Sequence, residues 1–206
     1  MPAKSLTLIA AAALAVFATP LAAQMVSDSS AFIKAVRDAD GGKATQLLGA
    51  PGSTVANARD PGSGENALHI AVRRRDTPWT GFMVQRGVDP NAVDRSGDTP
   101  LGLAARLGFS EGARVLIAGG ARVDGANARG ETPLIIATQG RRLDMVQMLM
   151  RQGADPDKAD SAAGYSARDY ARQDRRSAAI LRALEEKRAP AAAKTAPKAA
   201  TPARAQ

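Results

Sequence analysis

Apolar and polar residues alternate along this chain in short helical bursts, each closed by glycine, and the bursts recur. In Gly97 to Asp124, Leu101, Ala104 and Ala105 fall at helical spacing. Thr99 stands ahead of them as an oxygen donor-acceptor for a helix start, and Pro100 takes the first helical position. Gly108 follows as a left-handed terminator. A second helix is predicted over 110–118, with Val115, Leu116 and Ile117 as its buried side, ended by Gly119-Gly120. A polar, turn-like stretch then leads to Asn127. Helices of about nine residues are too short to persist alone in water.

The same landmarks return every 33 residues. Thr99-Pro100-Leu101 becomes Thr132-Pro133-Leu134 further on and Asn66-Ala67-Leu68 further back. Gly64, Gly97 and Gly130 keep this spacing, as do Gly87, Gly120 and Gly153. A period of this length marks a stacked helix-turn-helix unit that shares its core with its neighbours.

These residues carry a resemblance. The chain resembles an ankyrin-repeat protein through Gly97-Asp98-Thr99-Pro100-Leu101, Leu103-Ala104-Ala105, Gly108 and Gly120-Ala121. The next unit repeats them as Gly130-Glu131-Thr132-Pro133-Leu134, Ala137 and Gly153-Ala154-Asp155. The preceding one has Asn66 to Ala71 and Gly87-Val88-Asp89-Pro90-Asn91. The resemblance implies an all-α ankyrin-repeat solenoid of about five helix-turn-helix units with short β-hairpin-like turns. The units are expected at 28–60, 61–94, 95–127, 128–160 and 161–188, within a domain spanning 24–188. Some positions depart from the pattern. The histidine usual after T-P-L occurs only as His69, with Gly102 and Ile135 in its place elsewhere, which weakens a bond between adjacent turns. Arg75 and Arg141 occupy a glycine position, and Pro78 falls at the start of a second helix, where it is tolerated. In the last unit, Arg168 replaces a leucine.

The ends differ from the array. Lys4, the uncharged run from Leu6 to Phe17, and Thr19 to Ala23 follow the order of a signal peptide over 1–23, cut after Ala23. The run is too short to span a bilayer, which needs about 20 residues. No Cys is present for lipid attachment. Export to a bacterial periplasm is expected. The first unit, with Ala31 to Val36 amphipathic and a second helix near Lys43 to Leu48, is irregular as a terminal cap should be. The closing helix, over about 177–188, turns Ile180, Leu181 and Leu184 inward. The tail, 189–206, has alanine, proline and lysine but no aromatic or branched aliphatic residue, and is expected to be disordered.

Charge narrows the function. The whole chain is at +8; without the signal 27 basic and 20 acidic side chains remain, and three of those positive charges lie in the tail. The array itself is near +4, not the footprint of a nucleic-acid binder. Without cysteine there is no disulfide, thiol nucleophile or cysteine zinc site. The single histidine, His69, reads as a capping residue, and no further ligands converge on it. No G-x-S-x-G or GK[ST] motif is present. Glu65, Asp98 and Glu131 recur ahead of each helix start, spread along a ridge rather than paired in a cleft. Neither an enzyme, a cofactor nor a metal is expected. Trp79 aligns with a buried valine, so core packing outweighs a binding anchor, and Met145, Met148 and Met150 read as core filling.

The resemblance implies instead a concave face that binds another protein. By motif position, its tip row holds Ser63, Glu65, Arg95, Ser96, Asp98, Arg129 and Glu131. Its helix row holds Arg73, Arg74, Arg106, Leu107 and Gln139. An arginine-lined groove beside an acidic tip ridge suits a protein with an acidic patch; solvated helix faces are the plain alternative. A monomeric periplasmic interaction module, similar to accessory or protective factors for envelope and oxidative-stress proteins, is the leading expectation. A secreted effector that meets host proteins is the alternative.

Overall fold

The computed structural model describes residues 21–186. These form ten α-helices in five successive antiparallel pairs, and no strand occurs among them. The pairs are α1 (Leu21–Asp38) with α2 (Gly41–Leu48), α3 (Ala67–Arg73) with α4 (Thr77–Gln85), and α5 (Pro100–Leu107) with α6 (Ser110–Ala118). They continue as α7 (Pro133–Gln139) with α8 (Leu143–Arg151), and α9 (Ala167–Gln173) with α10 (Ala178–Glu185). The odd-numbered inner helices stack on one another, and the outer helices α4, α6, α8 and α10 form a second layer. The signal-peptide residues 1–20 and the tail 189–206 lie outside the described residues. Helix α1 runs across the cut expected after Ala23.

Each inner helix starts at the residue the sequence pattern marks. Thr99 Oγ1 accepts from the Gly102 N–H at 3.1 Å and Thr132 Oγ1 from the Ile135 N–H at 3.2 Å. Asn66 and Ser166 do the same work in the flanking units, each within a reciprocal capping box. One alanine of each inner helix, Ala71, Ala104, Ala137 and Ala171, is buried. Gly108 ends α5 at φ 67°, and Arg75 and Arg141 take the same left-handed turn at φ 55° and 54°. The arginines hold that unfavoured geometry with help from their side chains: Arg75 donates to the Leu107 carbonyl and Arg141 Nε to Asp174 Oδ2 at 2.6 Å.

The outer helices correct one expectation. In α6 the fully inward residues are Gly112, Ala113 and Leu116, whereas Val115 and Ile117 are half-buried. The inward file follows from i, i+3, i+4 spacing and continues back to Phe109, whose ring occupies the space a Cβ on Gly112 would need. Val115 instead faces sideways toward Gly81 of α4. Met145 and Met148 are buried and Met150 packs partly against the core. Ile180 and Leu184 are buried and Leu181 half-buried in the closing helix, which is shorter than expected and is preceded by a 3-10 turn over 175–177.

Between pairs, the chain doubles back in hairpin-like tips. Asp94 N–H donates to the Asp98 carbonyl and Asn127 N–H to that of Glu131, both at 3.0 Å. Neighbouring tips are tied by Arg95 N–H to Ser63 O at 2.9 Å and Ser161 N–H to Arg129 O at 3.0 Å. Gly97 carries φ 77°, and a Cβ there would also fall inside Ala128 of the next tip. Gly120 has φ 94° but open space around it. Gly120→Ala is therefore expected to cost about 1–2 kcal/mol. Gly97→Ala, which adds a steric clash, is expected to cost about 2–5 kcal/mol. Denaturant titration of the two variants checks the order.

Candidate functional site

The tips and the exposed sides of the inner helices form one continuous face. Four side chains organise its rim: Asp60, Asp94, Asn127 and Asp160. Each turns a side-chain oxygen onto backbone N–H groups of its own tip. Asp94 Oδ1 accepts from Ser96 and Asp98 at 2.8 and 2.9 Å, and Asn127 Oδ1 from Arg129 and Glu131 at 2.9 and 3.0 Å. Asp60 binds Gly62 and Ser63, and Asp160 binds Ala162 to Gly164. The sequence reading missed this file, although its near-constant spacing is visible in the chain.

Below the rim lie the three acids expected to form an exposed ridge. They do not form one. Glu65, Asp98 and Glu131 are 6%, 5% and 8% exposed. Each sits just before a helix cap, where its side chain turns inward under an arginine. Arg73 Nε reaches Glu65 Oε1 at 3.0 Å, Arg106 Nη2 reaches Asp98 Oδ1 at 2.9 Å, and Arg129 Nη2 reaches Glu131 Oε2 at 2.6 Å. Asn127 Nδ2 bridges two units, donating to Glu131 Oε2 at 2.8 Å and to Asp98 Oδ1 at 3.3 Å. Burial pushes the Asp98 carboxyl up, but hydrogen bonds from Arg106 and Asn127 and the arginine charges hold it below its ordinary value. Glu131 is lowered in the same way by Arg129 and Asn127 against its own burial. The Asp98 hydrogen bond raises Arg106.

The arginine groove is corrected too. Arg73 and Arg106 remain about half exposed, yet each is oriented by the acid beneath it. Arg74 points back to the C-terminal end of α1, donating to the carbonyls of Val36 and Arg37 at 3.1 Å each. A cation at a helix C-terminus is structurally favourable there. Leu107 is half-buried against the core. Arg95, Ser96, Arg129 and Gln139 are exposed, and Ser63 is half-buried with its hydroxyl between Asp60 and Glu65. Trp79 is half-buried, packed edge-to-face on Phe82 with ring centres 5.7 Å apart. It borders an open apolar cavity of about 340 Å³ on the outer layer with Gly41 and Thr45.

His69 has the structural role read from the sequence. It is fully buried, accepts from the Asn66 N–H at Nδ1, and lies with Nε2 2.9 Å from the Asp98 carbonyl of the next unit. That pairing assigns the proton to Nε2. Among the described residues no group of histidine, cysteine and carboxylate side chains is arranged to hold a metal, and no helix is long and apolar enough to cross a membrane.

Stacked helix pairs, capped by Thr-Pro-Leu and joined by hairpin tips, define a helical repeat solenoid whose conserved geometry lies in its inner face. A family model for ankyrin repeats (3 copies) matches residues 32–124 and again 68–160, and the chain belongs to the ankyrin-repeat family. It is 37% identical over 134 residues to ankyrin repeat domain-containing protein 13B of Mus musculus, covering 65% of this chain and 19% of that protein. It is 38% identical over 82 residues to ankyrin repeat and KH domain-containing protein mask-1 of Caenorhabditis elegans, covering 39% of this chain and 3% of that one. The nuclear factor NF-kappa-B p105 subunit of Mus musculus is 37% identical over 97 residues, 46% of this chain and 10% of that protein. The chain thus spans less than a fifth of the length of each of these relatives. Ankyrin repeats generally mediate protein–protein interaction, and such homologues are typically non-catalytic.

Burial holds the His69 pKa below its ordinary 6.5. Above pH 6.5 both folded and unfolded states carry the neutral ring; below it the unfolded chain binds the proton first, so stability falls with pH. Asp98 and Glu131 contribute fully above their ordinary values of 3.8 and 4.5 and lose that contribution as pH falls through their lower folded values. Stability measured against pH should show two separate declines. His69→Ala should remove the upper one and cost about 2–4 kcal/mol at neutral pH.

Proposed function

We propose that this chain is a non-catalytic interaction module that binds a protein on its concave face and works as a monomer in the bacterial periplasm. The observation that carries the reading is the file of arginine heads. Arg73, Arg106 and Arg129 present guanidinium groups from successive units, each held in place by a buried carboxylate. Holding a side chain in its bound orientation reduces the ordering cost of association. A guanidinium also offers paired donors to a carboxylate. A protein with an acidic patch fits this file, with Arg95, Ser96 and Gln139 beside it.

Periplasmic export rests on the basic, apolar and small-residue order of 1–23. A mature chain beginning at Gln24, measured by mass spectrometry on periplasmic extract, supports it; an intact Met1 in the cytoplasmic fraction overturns it.

Reversing charge at Arg106 would set two negative groups together over buried Asp98. A double Arg73→Lys, Arg106→Lys variant keeps the charge and loses the planar fork. Affinity capture from periplasmic extract, with mass spectrometry, identifies the bound protein. The double variant should bind it about tenfold or more weakly, with unchanged helical circular dichroism. Undiminished capture would move the interface off this face.

A further inference from the structure

At the far end of the concave face, α7 and α9 border a cavity of about 290 Å³. Thr138 forms part of its wall. This residue is 2% exposed, and its hydroxyl has no hydrogen-bond partner among the described residues. The matching positions, six residues beyond the helix caps of earlier units, are Val72 and Ala105, both buried and apolar. Valine would fill the shape of Thr138 without an orphaned hydroxyl, whose desolvation costs about 1–3 kcal/mol. The polar atom is thus unexplained by packing.

The surroundings change character here as well. Gln139 and Gln173 line the cavity at positions where earlier units carry Arg73 and Arg106. Gln139 hydrogen-bonds toward Glu131 and Tyr170. The carboxylate can only accept, so the Gln139 amide nitrogen faces it, and its carbonyl is left as an acceptor. The charges in the wall are closed on each other. Arg141 Nε donates to Asp174 Oδ2 at 2.6 Å, and the Ser177 hydroxyl adds a 2.9 Å bond to the same oxygen. The Tyr170 hydroxyl donates to Asp160 Oδ2 at 2.6 Å. What stays on offer is uncharged and able both to donate and to accept: the Thr138 hydroxyl and two carboxamides.

We propose that this cavity receives a primary carboxamide, an asparagine or glutamine side chain of the bound protein. The inference rests on reading the concave face as the binding surface and names what one end of it selects. A carboxamide supplies a donor and an acceptor together, matching the orphaned hydroxyl and the glutamine amides. A carboxylate would lie against Asp174 and a guanidinium against Arg141, and neither wall charge is free to answer it. The volume is at the low end for a small-molecule site of about 300–1,000 Å³, room for a side chain rather than a cofactor.

The test needs no partner protein. N-acetylglutamine N-methylamide is titrated into isotopically labelled protein and followed by amide NMR, with the glutamate analogue as comparison. The expected result is saturable shifts confined to residues 138–141 and 170–174 with the glutamine probe only. Thr138→Val should weaken this binding about five- to tenfold while leaving the melting temperature equal or higher. No saturable shift at those residues, equal binding of the glutamate probe, or unchanged binding by Thr138→Val would overturn the proposal. Protein capture that fails while the probe still binds selectively would count against the concave face as a protein-binding surface, not against the selectivity of this cavity.

Discussion

Close approach of the inner helices is the constraint on which everything else depends. Ala71, Ala104, Ala137 and Ala171 occupy the same place in four successive units and are all buried. A larger side chain at any of them would push two layers apart and strain close-packed neighbours. No single helix pair has a core of its own. Phe32, Leu68, Leu101, Leu134 and Leu184 belong to one cluster that runs through all five pairs. Stability is therefore a property of seams between units rather than of units.

The tight seams also dictate the electrostatics. Hairpin tips pack against one another closely enough that Gly64, Gly97 and Gly130 have no room for a side chain beside the next tip. An acid placed just inside such a tip loses its water. Glu65, Asp98 and Glu131 accept that position because an arginine, and for two of them Asn127, replaces the lost solvation. Breaking one member of such a buried pair is more damaging than the pair is stabilising. The arginine heads at the surface are thus fixed by packing underneath them.

Much of this was legible in the chain and some was not. Thr99 and Thr132 cap their helices, Gly108 turns left-handed, and α6 spans the residues its pattern marks, because each depends on local backbone chemistry. His69 was legible because a known motif fixes its place. The depth of the acids was not, since spacing shows that residues recur but not whether the next tip covers them. Val115 and Ile117 were misjudged for a related reason: adjacent apolar residues on a short helix cannot all face inward, and the choice is made by the neighbouring layer. Thr138 carried no signal beyond being a threonine in an apolar file.

The last tip breaks the pattern of the others. Tyr165 stands where Glu65, Asp98 and Glu131 stand, and with no sixth described unit over it the ring is 42% exposed, meeting Tyr170 edge-to-face at 5.6 Å. Tyr170 in turn takes the place of Ile70, Leu103 and Ile136. One extremity of the inner face is therefore ionic and the other aromatic. A translationally repeating scaffold has by this means acquired a head and a tail, so that an extended polypeptide laid along it would not have equivalent contacts in its two possible orientations.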